Sequence, residues 1–96
     1  MTQSNTLDKA DLITLLRRFI TGEDRTQTFV RHEIGDLLEG RFPGGKGFPD
    51  WDTYEDLDTA VGCYRPGGGE FLYDEEQTAA IFAAVLERLN STDTVE

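Results

Sequence analysis

The sequence predicts an all-α domain, a compact antiparallel bundle of four helices. Three observations predict it. Apolar residues recur at spacings of three and four in four separate stretches, the period of a helix with one buried face. Three of those stretches are preceded by an acid with Gln or Glu three residues later (Asp24/Gln27, Asp52/Glu55, Asp74/Gln77), the pattern of a reciprocal helix cap. The segments before the third and fourth stretches are rich in Gly and Pro, and no stretch reads as a convincing strand. Ninety-six residues suit one small domain, with an ordered core expected over residues 7–90.

Residues 1–6 form a polar lead. The first helix is expected from Leu7 to Ile20, with Leu12, Leu15, Leu16, Phe19 and Ile20 as its stripe and Leu7 and Ile13 widening it. Asp8 and Asp11 near its start and Arg17 and Arg18 near its end suit the helix dipole, and Gly22 stops it. The second helix opens at the Asp24–Gln27 cap and buries Phe29, Val30, Ile34, Leu37 and Leu38. His32 falls off that stripe, so it is expected at the surface without a catalytic role. Gly35 inside the helix costs roughly 1 kcal/mol against Ala and would allow a close helix approach.

Residues 40–50, GRFPGGKGFPD, read as a loop pinned to the core by Phe42 and Phe48. The third helix is expected from the Asp52/Glu55 cap to about Tyr64. Tyr54, Leu57, Val61 and Tyr64 face inward, flanked by Ala60 and by Cys63, which is read as a small buried hydrophobe. Arg65–Gly69 breaks the chain, and Glu70–Tyr73 reads as an extended piece docked on the core. The fourth helix runs from the Asp74/Gln77 cap to about Leu89 and buries Ile81, Phe82, Val85, Leu86 and Leu89. Asn90 suits its C-cap, and STDTVE is a polar tail.

Charge is unevenly spread. The formal net charge is −10, and residues 50–76 hold nine acids against one base, Arg65. Residues 1–49 balance at seven of each. Such a field repels nucleic acid and anionic lipid and attracts a basic protein surface. Taken singly, each acid has a plain role in solubility or in starting a helix, above all Asp74, Glu75 and Glu76. Together with Trp51, Tyr54, Tyr64 and Tyr73 they form the composition of an interface, because Tyr and Trp bury much area with few rotors. Asp52, Glu55, Asp56 and Thr59 lie opposite the apolar stripe of the third helix, with Asp58 at its boundary.

Catalytic chemistry finds little material. His32 is the single histidine and Cys63 the single cysteine, so cysteine metal clusters, an internal disulfide and most zinc sites are excluded. Ser4 and Ser91 fall in the expected tails, far from a triad. PGGKG lacks the spacing of a phosphate-binding loop, and DWDTYED lacks that of a calcium loop. No cofactor or metal is expected. No run of about 18 apolar residues and no secretory signal appear, so a cytoplasmic protein is expected.

Three segments carry a resemblance to a known family. They are Leu15-Leu16-Arg17-Arg18-Phe19-Ile20-Thr21-Gly22-Glu23 with Phe29 beyond it, then Leu57-Asp58-Thr59-Ala60-Val61-Gly62-Cys63-Tyr64-Arg65-Pro66, and Tyr73-Asp74-Glu75-Glu76-Gln77 leading to Val85-Leu86-Glu87-Arg88-Leu89. In order, spacing and charge the chain resembles the bacterial self-protective immunity proteins of the colicin D type, which also occur beside contact-dependent toxins. The glycine-rich segments at 43–47 and 67–69 depart from that pattern. The resemblance implies a non-enzymatic helical protein, a monomer in a 1:1 complex, that binds a basic, tRNA-cleaving toxin domain and covers its active-site cleft with acids in place of phosphates. The residues it singles out by charge and helix face are Asp52, Glu55, Asp56, Asp58 and Glu70, with Trp51 and Tyr64 as aromatic anchors. The alternative is an acidic nucleic-acid mimic or regulatory adaptor on a basic host or phage protein.

Overall fold

Four helices carry the described residues; the first break contains Gly22, and the other two fall at Gly- and Pro-rich segments. The computed structural model describes the backbone of residues 2–95 and the side chains of residues 9–90. Helix α1 spans Thr2–Ile20. Helix α2 begins as a π-helical segment, Phe29–Gly35, and continues as α-helix over Asp36–Arg41. A single 3₁₀ turn, Pro43–Gly45, follows. Helices α3 and α4 span Trp51–Cys63 and Glu75–Val95. Among the described residues there is no strand, only isolated bridges at Tyr64–Tyr73 and Gly69–Leu72. No helix among them is long and apolar enough to cross a membrane.

Both outer helices are longer than expected. Helix α1 starts at Thr2 rather than Leu7, and α4 runs through Asn90 to Val95. Neither extension contains Gly or Pro, and lengthening a formed helix is far easier than nucleating one. Asp8 and Asp11 therefore sit within α1 instead of its first turn, and Ser4 and Ser91 lie in helices. The side chain of Leu7 lies outside the described residues.

The helix ends show which polar groups were aimed at the backbone. Gly22, at φ 86°, closes α1 with two bonds, Glu23 N–H to Arg18 C=O at 2.9 Å and Gly22 N–H to Phe19 C=O at 3.1 Å. Arg25 adds a second closure: Nε donates to Phe19 C=O and Nη2 to Ile20 C=O, both at 2.7 Å. Its guanidinium lies 5.4 Å from the Phe19 ring centre. The Asp24/Gln27 cap does not form. Thr26 caps α2 instead, its hydroxyl accepting from Phe29 N–H at 3.1 Å, while Asp24 holds Thr26 and Gln27 donates to Tyr64 C=O at 3.3 Å. Likewise α3 is capped by Asp50, not Asp52, through a 2.7 Å bond from Thr53 N–H to Asp50 Oδ1. The Asp74/Gln77 cap forms reciprocally, at 2.8 and 3.0 Å.

Helix α4 packs against α1 and α3, and the π-helical part of α2 packs against α3 and α1. The radius of gyration, 12.8 Å, is that of a packed chain of this length. Leu12, Leu16 and Phe19 of α1 meet Val30, Ile34 and Leu38 of α2, Leu57, Ala60 and Val61 of α3, and Phe82, Val85 and Leu89 of α4 in one core. At its centre Phe19 meets Tyr64 and Phe82 edge-on, with ring centres 5.0 and 4.9 Å away. Gly35 is not needed for close approach: a Cβ there would meet Val61 at 3.5 Å, an ordinary contact. His32 is exposed near Asp36, and Cys63 is half-buried instead of fully buried.

Candidate functional site

Helix α3 carries the acidic face, and its phase decides which acids point where. Thr53, Leu57, Ala60 and Val61 are buried, so at 100° per residue Asp52, Glu55 and Thr59 point outward. Asp56 is rotated toward α4, where its Oδ2 meets Arg88 Nη1 at 3.0 Å. Arg88 also donates to Thr53 Oγ1 at 3.5 Å. Asp58 is exposed on the opposite flank, where it and Glu39 of α2 act on Tyr54. Among the described residues, Asp52, Glu55, Asp58 and Glu70 are exposed and make no hydrogen bond or ion pair.

Between α3 and α4 lies a groove of about 310 Å³, lined by Glu55, Asp56 and Thr59 on one side and Tyr73, Ile81 and Ala84 on the other. It pairs carboxylates with apolar surface, the lining that a long basic side chain fits along its stem and at its head. Periodicity had placed Ile81 in the core and left Tyr73 as a docked residue; only the meeting of two helices turns them into a groove wall. Arg88, 32 residues from Asp56, gave no sign in sequence that it would pair with it.

The N-terminal end of α3 is set by Asp50 in extended conformation, φ −157° and ψ 166°. The side-chain and backbone hydrogen bonds of Thr53 hold its carboxyl below the usual aspartate range, with Arg88 adding to the effect. Trp51 follows, 58% exposed, its ring against Tyr54 at 5.3 Å. Tyr54 in turn meets Phe48 at 5.3 Å and Phe48 meets Phe42 at 5.2 Å. This row of rings runs from the buried Phe42 to the surface and gives Trp51 a fixed base. Gly45, at φ 87°, passes so close to Tyr54 that a Cβ would lie 3.0 Å from the ring.

Tyr64 does not belong to this face. It is 1% exposed, its ring packs on Phe19 and its hydroxyl donates to Arg25 C=O. It shares the stripe of Leu57, so the apolar period of α3, not the surrounding acids, decides its place. Glu70 and Phe71 correct a second expectation: both are exposed, and only Leu72 and Tyr73 of the 70–73 piece are half-buried. Burial pushes the Tyr64 phenol up from the ordinary tyrosine value of 10.0, and Glu75 raises it further. The folded state thus favours the neutral phenol. Its contribution is complete below the unfolded value and is lost as pH rises through the folded one. Unfolding followed by circular dichroism at increasing pH is therefore expected to show a step above about pH 10. Tyr64→Phe is expected to shrink or remove that step while losing about 1 kcal/mol at neutral pH, the worth of its hydrogen bond. An unchanged step would assign it to Tyr54, which burial also pushes up.

Among the described residues, no three His, Cys, Asp or Glu side chains converge as a metal site requires. Comparison with family models, with curated proteins and with solved structures gives no match for this chain.

Proposed function

We propose that this protein is an immunity protein that neutralises a bacterial toxin domain, a basic nuclease of the tRNA-cleaving kind, by laying the acidic face of α3 over its active-site cleft. The observation that carries it is the set Asp52, Glu55 and Asp58: three exposed carboxylates within seven residues, with no hydrogen bond or ion pair among the described residues. Neighbouring like charges on a helix cost a few tenths of a kcal/mol per pair, so the fold gains nothing from their crowding. A basic cleft built for phosphates would gain from it. Trp51 supplies aromatic area at one end of the face, and Glu70 adds charge beyond the other. Asp56, held by Arg88, contributes by shaping the groove or by exchanging its partner on binding. The proposed protein is an antiparallel bundle, acts in the cytoplasm as a monomer in a 1:1 complex, and needs neither catalysis nor a cofactor. Electrostatic steering makes capture fast.

The test is protection. Any toxin-like C-terminal domain encoded beside this gene is induced in cells with and without the protein, and survivors are counted. Rescue is expected, with a co-purifying complex whose association rate falls about tenfold or more between low and high salt. No rescue and no complex would overturn the proposal and turn attention to an acidic mimic of nucleic acid on a host or phage protein.

A further inference from the structure

The loop between α3 and α4 holds a residue that neither the core nor the groove accounts for. Phe71 is 90% exposed and lies outside the hydrophobic cluster. It is also, among the described residues, the one non-glycine residue with positive φ, at 64°. Leu72 N–H donates to Gly69 C=O at 3.1 Å, which makes Gly69–Leu72 a tight turn with Glu70 and Phe71 at its centre. A negative φ followed by a positive one is the pattern of a type II turn, whose third position suits Gly or Asn and disfavours a bulky side chain.

The turn stands on a braced base. Arg65 N–H donates to Tyr73 C=O and Tyr73 N–H to Cys63 C=O, both at 3.0 Å, so the two arms of the loop are tied to the end of α3. The Glu75 carboxylate accepts from Gly67 N–H at 3.0 Å. A fixed loop thus holds an apolar ring in water, at a position that local backbone energetics would give to another residue. The left-handed backbone and the exposed apolar surface both count against the fold, and strain of this kind is retained where it serves a function.

We propose that Phe71 is an anchor for the partner, a ring presented for insertion into an apolar pocket on a basic protein surface; this rests on the partner-binding reading above. Charge selects that occupant. Glu70 precedes the ring and Asp74, Glu75 and Glu76 follow it, with Arg65 the single base between residues 50 and 76. Two residues along the chain, Tyr73 lines the acidic groove, which joins the anchor to the face already described. Buried aromatic anchors dominate the energy of many interfaces, and a braced loop loses little freedom on binding.

The test uses the full chain and, as probe, the toxin domain taken into the protection assay, with binding kinetics measured at low and high salt. Phe71→Gly and Phe71→Asn, both suited to a positive φ, are expected to leave Tm unchanged or higher and to weaken binding about 30-fold or more through faster dissociation. The salt dependence should stay that of the unaltered chain, and Phe71→Trp should retain binding within a few-fold. If Phe71→Gly binds within about twofold of the unaltered chain while lysine reversals on α3 abolish binding, the anchor is wrong and the acidic face stands. If both variants lose Tm along with binding, Phe71 serves the fold and the proposal fails. If the unaltered chain does not bind, both the face and its anchor fail.

Discussion

Replacing Asp52, Glu55 and Asp58 together with lysine is expected to abolish protection and to weaken association by about 10³-fold. Each change is worth two charges, so the three move the formal net charge from −10 to −4. At roughly 1.5 kcal/mol for each lost charge pair, the low end for close interfacial pairs, the sum exceeds 4 kcal/mol, which is that factor. The association rate should drop and its salt dependence flatten, because steering is what the acids supply. The fold should survive. None of the three makes a hydrogen bond or ion pair among the described residues, and lysine is a better helix former than aspartate. Asp52 lies in the first turn of α3, where losing a negative charge costs about 0.3–1 kcal/mol, so a small fall in Tm is the most that should appear. Asp56 is left out deliberately, since its loss would break the ion pair that ties α3 to Arg88 of α4 and confuse binding with stability. Survival counts and binding kinetics decide the matter: full protection by the triple variant, with its helical signal intact, would rule out the α3 face as the binding surface.

Truncating Phe19 to Ala is expected to cost about 3–5 kcal/mol and to lower Tm by roughly 15–30 °C. Phe19 is wholly buried and touches three kinds of support at once: the Tyr64 ring, the Phe82 ring and the Arg25 guanidinium. Its removal opens a cavity where α1, α3 and α4 meet and takes the seat from the arginine that closes α1. A domain of this size has only about 5–15 kcal/mol in total, so about a fifth or more of the stability should go. Urea and thermal unfolding measure it. A loss under about 1 kcal/mol would mean that the centre of the core lies elsewhere.

Much of the fold was legible because helical burial is periodic. Leu12, Leu16 and Phe19, then Val30, Ile34 and Leu38, then Leu57 and Val61, then Phe82, Val85 and Leu89, follow the 3.6-residue period and are all buried. The caps were less legible. An acid three residues before Gln or Glu marks a helix start, but it does not say which nearby side chain reaches the free amides. Thr26 and Asp50 lie two residues from the acids that the pattern selected, and only Asp74 matched it. The π-helical segment at Phe29–Gly35 has no comparable sequence mark.

The acidic site divides in the same way. By itself the sequence determined where the four apolar stripes lie, that the centre of the chain is strongly negative, and that Asp52, Glu55, Asp56 and Thr59 lie opposite an apolar stripe with Asp58 at its boundary, since all of these depend on residues close together in the chain. Which acids keep their charge unpaired, and which aromatic rings reach solvent, only the tertiary structure decided. Asp56 meets Arg88 across two helices, Tyr64, turned inward by its period, finds the Phe19 ring of α1 as its partner, and Phe71 stays out on a turn tied to the end of α3. An ion pair or a buried ring depends on segments far apart in sequence, brought together by packing, and composition carries no record of that meeting.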